Sequence, residues 1–154
     1  MQRINKHLER KLCRLSSFLH HAREEFDNAA REIKDKKIRM SVRSVAVKTE
    51  QYMHEFDSQL QMLRVACPRE KIKNYEASKS KYGAHKNLTD KKILQLCCST
   101  EMYFEKAYRS ILDEFFPFKP LRDMLRYQIT GIYSAFRQLK LLNSVMTVPQ
   151  AAFS

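Results

Sequence analysis

Three segments with helical periodicity each carry a glutamate at the edge of an apolar stripe, namely Glu25, Glu55 and Glu101. A carboxylate that leans toward an apolar core is unfavourable unless a cation neutralises it or it binds a metal ion. One hypothesis is therefore a single-metal site that takes one acid from each segment. Two further candidate ligands share a helix face with Glu101, because they follow it at helical spacing: Glu105 and Tyr108.

The last predicted helix offers no such ligand. After Asp123 the sequence contains no Asp, Glu or His. Arg126, Arg137 and Lys140 stand there instead, and the Glu-x-x-His motif of di-iron bundles occurs nowhere in the chain. We therefore expect neither a metal centre nor a cofactor. The inward acids are expected to be neutralised by neighbouring basic residues such as Lys48 or Arg126.

The chain contains no complete catalytic constellation. Its two glycines cannot form a phosphate-binding loop. His20 and His21 share a predicted helix with Cys13, which could act as a nucleophile, but they follow it by seven and eight residues. Histidines on a long helix are more often surface residues, so the sequence predicts that the protein is not an enzyme.

The acid-free last helix carries basic and aromatic residues on one predicted outer face. We call this face the basic strip, and it consists of Arg126, Thr130, Tyr133, Arg137 and Lys140. Basic side chains interleaved with tyrosine are typical of nucleic-acid and anion binding. Such a face also suits a homodimer contact or another protein partner. The pattern favours interaction about as much as plain solvation.

Four apolar stripes with steps of three and four residues define the elements that position these side chains. They predict helices at about 3–35, 38–66, 90–115 and 120–143, followed by a flexible tail over 147–154. A longer polar connection lies between the second and third helices, with a possible helical turn at 71–80. The fold class predicted is all-α: an antiparallel, up-down four-helix bundle in one domain, 1–146.

Composition supports a helical protein without a membrane span. The chain has 154 residues, only two glycines and four prolines, and no apolar run near the roughly 20 residues that a span requires. We expect a soluble cytoplasmic protein, with its four cysteines as free, mostly buried thiols. The formal charge of +12 could attract nucleic acid or an anionic membrane, although mixed charges favour solvated helix faces.

Several short stretches are similar to one family. They are Ile-Asn-Lys-His-Leu and Phe-Asp-Asn-Ala-Ala-Arg-Glu-Ile-Lys-Asp in the first helix, Glu-Gln-Tyr-Met-His-Glu-Phe in the second, Ser-Thr-Glu-Met-Tyr-Phe-Glu-Lys-Ala-Tyr in the third and Leu-Arg-Tyr-Gln-Ile-Thr-Gly-Ile in the fourth. Over residues 3–143 the chain resembles bacterial ferritin-like four-helix-bundle proteins of unknown function, relatives of stress-induced proteins. The resemblance implies a ferritin-like bundle that acts as a structural or stress-related interaction module. A degenerate metal-binding protein is the alternative.

Overall fold

A computed structural model describes residues 4–68, 87–114 and 116–147, and these residues form helices without any strand. The helices are α1 (Lys6–Glu32), α2 (Lys36–Met62), α3 (Asp90–Cys98), α4 (Glu101–Leu112) and α5 (Lys119–Thr147). The all-helical fold class is thus confirmed. None of the described helices is both long and apolar enough to cross a membrane. The possible turn at 71–80 and residues 148–154 of the predicted tail lie outside the described residues.

The helices begin where short polar side chains can satisfy their first free N–H groups. Each of the first three helices has an N-cap whose side-chain oxygen accepts the backbone N–H three residues later. The caps are Asn5 for α1 at 2.8 Å, Asp35 for α2 at 2.9 Å and Thr89 for α3 at 3.2 Å. The apolar stripes predicted from the sequence face the core. On α5 every residue of the predicted stripe is buried: Leu121, Leu125, Gln128, Ile132, Phe136 and Leu139.

The third predicted helix is one arm of the bundle but is divided into α3 and α4, and we call the pair the third arm. Ser99 Oγ donates to the Leu96 carbonyl at 2.6 Å, and Thr100 Oγ1 donates to the Cys97 carbonyl at 2.7 Å. These side chains compete with the backbone for carbonyls of the last turn, which interrupts the regular helix. The interruption lies immediately before Glu101 and so sets where α4 begins.

Contacts at the two ends of α1 fix the direction of the third arm. Lys11, near the start of α1, donates to the Ser110 carbonyl near the end of α4 at 2.9 Å. The backbone N–H of Lys34, just after α1, donates to Asp90 at the start of α3, also at 2.9 Å. The third arm is therefore antiparallel to α1. Because α1 and α2 are joined by a short corner, α2 is antiparallel to α1 as well.

It follows that α2 and the third arm run in the same direction, so the up-down order does not hold between these two arms. The hydrophobic period of a helix identifies its buried face but not its direction relative to a neighbour. Cys67 lies near the start of α1, whereas Asp90 lies at the end of α1, which we call the corner end. The described ends of the connection thus lie at opposite ends of the bundle. Two contacts give the direction of α5. Lys140 Nζ donates to Glu101 at 2.9 Å and the Tyr108 hydroxyl donates to Gln128 at 2.8 Å, so α5 is antiparallel to α4.

The carboxyl end of α2 folds back toward α1 through a left-handed residue. Arg64 has φ 57°, and the N–H of Val65 donates to the Leu60 carbonyl at 2.9 Å. This is the Schellman closure of a helix, in which glycine usually takes the left-handed position. The second predicted helix therefore ends at Met62 rather than at residue 66.

We expect Arg64→Gly to raise the free energy of unfolding by about 0.5–1 kcal/mol, because glycine has no Cβ to strain a left-handed backbone. Arg14→Gly is the matched control, since Arg14 is an exposed residue inside α1. That change should lower the free energy by about 1 kcal/mol. Urea denaturation of both variants measures the two effects, and a loss of stability in Arg64→Gly would contradict the assignment.

The fold-back after α2 brings two cysteines together, which corrects the prediction of four free thiols. Cys13 and Cys67 form a disulfide with their Cα atoms 5.3 Å apart, whereas Cys97 and Cys98 are free. The two cysteines are separated by 54 positions and meet through the turn at Arg64, a contact that the spacing of neighbours along a helix does not indicate. The disulfide attaches the residues after α2 to α1.

Candidate functional site

A buried amide connects three helices at the middle of the bundle. Gln128 of α5 is completely buried and accepts a hydrogen bond from the Tyr108 hydroxyl of α4 at 2.8 Å. Its amide nitrogen donates to the Tyr52 carbonyl at 3.1 Å and to Glu55 Oε1 at 3.4 Å, both on α2. We call these four residues the Gln128 network. It satisfies polar groups that would otherwise be buried without partners.

Burial keeps the phenols of this network protonated. Desolvation is the main reason that the pKa of Tyr108 is raised well above its ordinary value, and the nearby Tyr52 and Glu55 add to it. The pKa of Tyr52 is raised as well, by burial first and then by Tyr127 and Glu55. A protonated Tyr108 is a hydrogen-bond donor, which is the role that its contact with Gln128 requires. The network therefore holds helices together without an ionised phenol.

Gly131 allows Tyr52 to pack directly against α5. A Cβ added at Gly131 would overlap the Tyr52 hydroxyl, and Tyr52 is only 1% exposed. The ring is rigid and enclosed, so a side chain at this position has to displace it. The glycine is thus explained by the close approach of α2 and α5.

We expect Gly131→Ala to lower the free energy of unfolding by about 1–3 kcal/mol, as overpacking does in a dense core. The higher helix propensity of alanine alone would instead raise the free energy of unfolding by about 0.5–1 kcal/mol. Thermal unfolding distinguishes the two signs. Ser134→Ala is the control at an exposed position of the same helix. A stabilised Gly131→Ala variant would show that Tyr52 is not confined there.

The structure does not bring the three candidate metal-binding glutamates together. Glu25 pairs with His21 on its own helix at 3.1 Å, and Glu101 pairs with Lys140 at 2.9 Å. Glu55 belongs to the Gln128 network. Among residues 4–68, 87–114 and 116–147, no group of three or more His, Cys, Asp or Glu could hold a metal ion.

The two further candidates, Glu105 and Tyr108, also have separate partners. Glu105 lies near Tyr133 of α5 and contributes to raising its pKa, after the larger effect of burial, and Tyr108 donates to Gln128. Among the three candidate acids, a basic side chain of another helix pairs with Glu101, whereas Glu55 is bound by the neutral amides of Gln51 and Gln128. Lys140 neutralises Glu101, and neither Lys48 nor Arg126 has an ion pair among the described residues.

The basic strip exists as a surface beside α4. Arg126, Thr130, Arg137 and Lys140 are exposed, and Tyr133 is partly buried. The pKa of Tyr133 is raised by burial first and then by its contact with Glu105. Within the part of the chain that is described, Arg126 and Arg137 form no salt bridge. Their positive charges therefore face solvent.

A hydrogen-bonded cluster between α1 and α2 was not predicted from the sequence. Asp57 accepts hydrogen bonds from Ser16 Oγ at 2.7 Å and from His20 Nε2 at 2.8 Å. Ser16 and His20 each bond to Asp57 and not to each other, so they are not arranged as a nucleophile and its base. The i, i+4 spacing of Ser16 and His20 signals a shared face, but their partner on α2 could not be known. The nucleophile role considered for Cys13 is also wrong, because its sulfur is in the disulfide.

Burial disfavours the thiolate form of the two free cysteines. Burial raises the pKa of Cys97 to about 12, with smaller contributions from Cys98 and Glu25, and burial also raises the pKa of Cys98. Only the thiolate is a nucleophile. We expect iodoacetamide at pH 8 to alkylate Cys97 at least about 100-fold more slowly in the native protein than in urea. Mass spectrometry of digested samples measures this, and rapid native labelling of Cys97 would contradict it.

Comparison with known protein families, with characterised proteins and with solved structures finds no match for this chain. The functional assignment therefore rests on the geometry described above. That geometry consists of a closed network in the interior and an incompletely neutralised basic surface on α5.

Proposed function

We propose that this chain is a non-catalytic helical bundle of ferritin-like connectivity that serves as a structural or stress-related interaction module. The observation that carries this proposal is the closed Gln128 network. At the middle of the bundle, where a metal site would need converging acids, the Gln128 amide accepts from the Tyr108 phenol and donates to Glu55. The interior is thus used to join helices.

The ferritin-like part of the proposal is supported by helix direction. Ferritin-like folds differ from simple up-down bundles by one long crossover connection. Here α2 and the third arm are parallel, and Cys67 and Asp90 lie at opposite ends of the bundle. One long connection between the second and third arms is what that topology requires. The resemblance noted in the sequence agrees with this arrangement.

The interaction surface in this proposal is the basic strip, and its partner is a second copy of the chain or another protein. Arg126 and Arg137 are exposed and form no salt bridge among the described residues, and Tyr133 between them lies near Glu105 and Arg109 of α4. Arginine and tyrosine are enriched where protein surfaces bind each other. The adjoining glutamates of α4 would supply complementary charge to an antiparallel copy of the same surface.

Two alternatives are less well supported. A degenerate metal site needs Glu25, Glu55 and Glu101 to converge, whereas each has a different partner. Binding of an anion or nucleic acid through α5 is weakened because Glu101 neutralises Lys140. Glu105 lies beside Tyr133 as well, so acids are interspersed along this surface.

Sedimentation equilibrium tests the interaction surface. We expect the wild-type chain to sediment as a dimer at micromolar concentration and the double variant Arg126→Glu, Arg137→Glu to sediment as a monomer with unchanged helicity. The matched control is Arg14→Glu, Arg43→Glu, which reverses two exposed arginines of α1 and α2. A wild-type monomer, or a dimer that survives reversal of the strip, would contradict this role for the strip.

A further inference from the structure

The corner end of the bundle collects exposed lysines from two separate chain segments. Asp90 accepts the backbone N–H groups of Lys34 and Asp35 at 2.9 and 2.8 Å, which joins the α1–α2 corner to the start of α3. This bridge brings the lysines that flank Asp35 and those that follow Asp90 to the same end of the bundle. We call the group the lysine end, and it consists of Lys34, Lys36, Lys37, Lys91 and Lys92.

Two acids at the lysine end, Asp35 and Asp90, are directed at backbone groups, whereas Glu32 at the end of α1 is exposed. Asp35 Oδ1 accepts from the N–H of Ile38 at 2.9 Å and caps α2, while both oxygens of Asp90 accept the corner N–H groups. No lysine of this group forms a salt bridge within the described residues. Elsewhere Lys119 and Lys140 have carboxylate partners at 3.4 and 2.9 Å, whereas the exposed Lys6 and Lys106 form no salt bridge among the described residues. The lysine end differs in that its exposed lysines lie close together in two short segments.

The helix dipoles do not account for the positive charge of this end. Both α2 and α3 begin at the corner end, but α1 and α5 end there, so the two positive dipole ends are offset by two negative ones. The positive charge of this surface therefore comes from its lysine side chains. The exposed lysines extend beyond the two capping aspartates into solvent, and they are the groups that a partner would meet first.

The chemistry of this surface fits a chain of repeated phosphates. Lysine ammonium groups are compact charges that contact phosphate without a fixed geometry, and several of them together hold an extended polyanion better than a single anion. Insertion into a membrane surface would need apolar side chains among the lysines. In the first turns of α2 and α3, Ile38 and Ile93 are buried, and Met40 is the exposed apolar residue.

We propose that the lysine end binds the phosphate backbone of nucleic acid without sequence specificity. This surface is separate from the basic strip, and its action does not require the strip. Non-specific binding of this kind has dissociation constants of roughly 10⁻⁴–10⁻⁶ M at physiological salt. If four or five lysines neutralise phosphates, affinity for duplex DNA should fall by roughly 100-fold or more between 50 and 200 mM salt.

Fluorescence anisotropy with a labelled 20-base-pair DNA duplex of arbitrary sequence tests the proposal. The variant Lys36→Glu, Lys91→Glu should bind at least about 10-fold more weakly at 50 mM salt and show a shallower salt dependence. Glutamate in the first turn of a helix is favourable, so this variant should fold. The control Lys6→Glu, Lys119→Glu changes the net charge by the same amount. These two lysines are the first residues of α1 and α5, at the opposite end of the bundle.

The proposal is supported if the lysine-end variant binds the duplex more weakly while the affinity of the control variant changes by less than about 3-fold. Equal losses in both variants would assign binding to overall charge and overturn it. Absence of wild-type binding at 50 mM salt would overturn it as well. So would a wild-type chain that binds phosphatidylserine vesicles but not the DNA duplex.

Discussion

Reduction of the Cys13–Cys67 disulfide is expected to lower the free energy of unfolding by about 3–4 kcal/mol. The bond closes a loop with a sequence separation of 54 residues, and chain-entropy arguments assign a loop of this size about that much stabilisation. Domains are stable by only about 5–15 kcal/mol, so this is a large fraction. The bond also fixes the turn after α2 to the first turns of α1.

Guanidinium denaturation with and without a phosphine reductant measures this effect. The matched control is the double variant Cys13→Ser, Cys67→Ser, which should already have the lower stability and should not respond to reductant. Cys98→Ser should respond as the wild type does, because Cys98 is not in the disulfide. Equal midpoints for reduced and oxidised wild type would show that the bond does not stabilise the bundle.

Replacement of Gln128 by alanine is expected to lower the free energy of unfolding by about 3–4 kcal/mol. The change leaves the Tyr108 hydroxyl buried without an acceptor, which costs about 1–3 kcal/mol, and it opens a cavity among α2, α4 and α5. Gln138→Ala is the control at an exposed glutamine of α5 and should change stability by less than about 0.5 kcal/mol.

A double-mutant cycle identifies the hydrogen bond that matters within this effect. Gln128→Leu leaves the Tyr108 hydroxyl unpaired, and adding Tyr108→Phe removes that hydroxyl, so the double variant should be more stable than additivity predicts by at least about 1 kcal/mol. Urea denaturation of the four proteins gives the coupling energy. Strict additivity would mean that Tyr108 and Gln128 do not depend on each other.

The sequence predicted the helices well because their determinants are local. Hydrophobic period and polar caps are properties of neighbouring residues, and Asp35 and Thr89 act as caps where these patterns change. The interruption at Ser99 and Thr100 was missed because the apolar stripe continues through it. Its cause, side-chain bonding to the preceding carbonyls, depends on rotamers that the pattern does not specify.

Contacts between distant residues were less predictable. Gln128 has the helical spacing of the buried stripe on α5, but nothing local indicates that Tyr108 lies opposite it. Glu101 was identified as an acid near the core, yet its partner Lys140 was expected to belong to an exposed strip. The disulfide depends on the left-handed turn at Arg64, which no glycine marks. The direction of the third arm depends on the Asp90 bridge to the corner.

Elemental analysis of protein purified without chelators tests the central claim most directly. The network at the middle of the bundle predicts metal far below one ion per chain, with the same result for Glu101→Gln. Because Glu101 pairs with Lys140 near the surface, that substitution should also change stability by less than about 1 kcal/mol. A stoichiometric metal ion in the wild type that is lost in Glu101→Gln would contradict a non-catalytic bundle that acts through its surfaces.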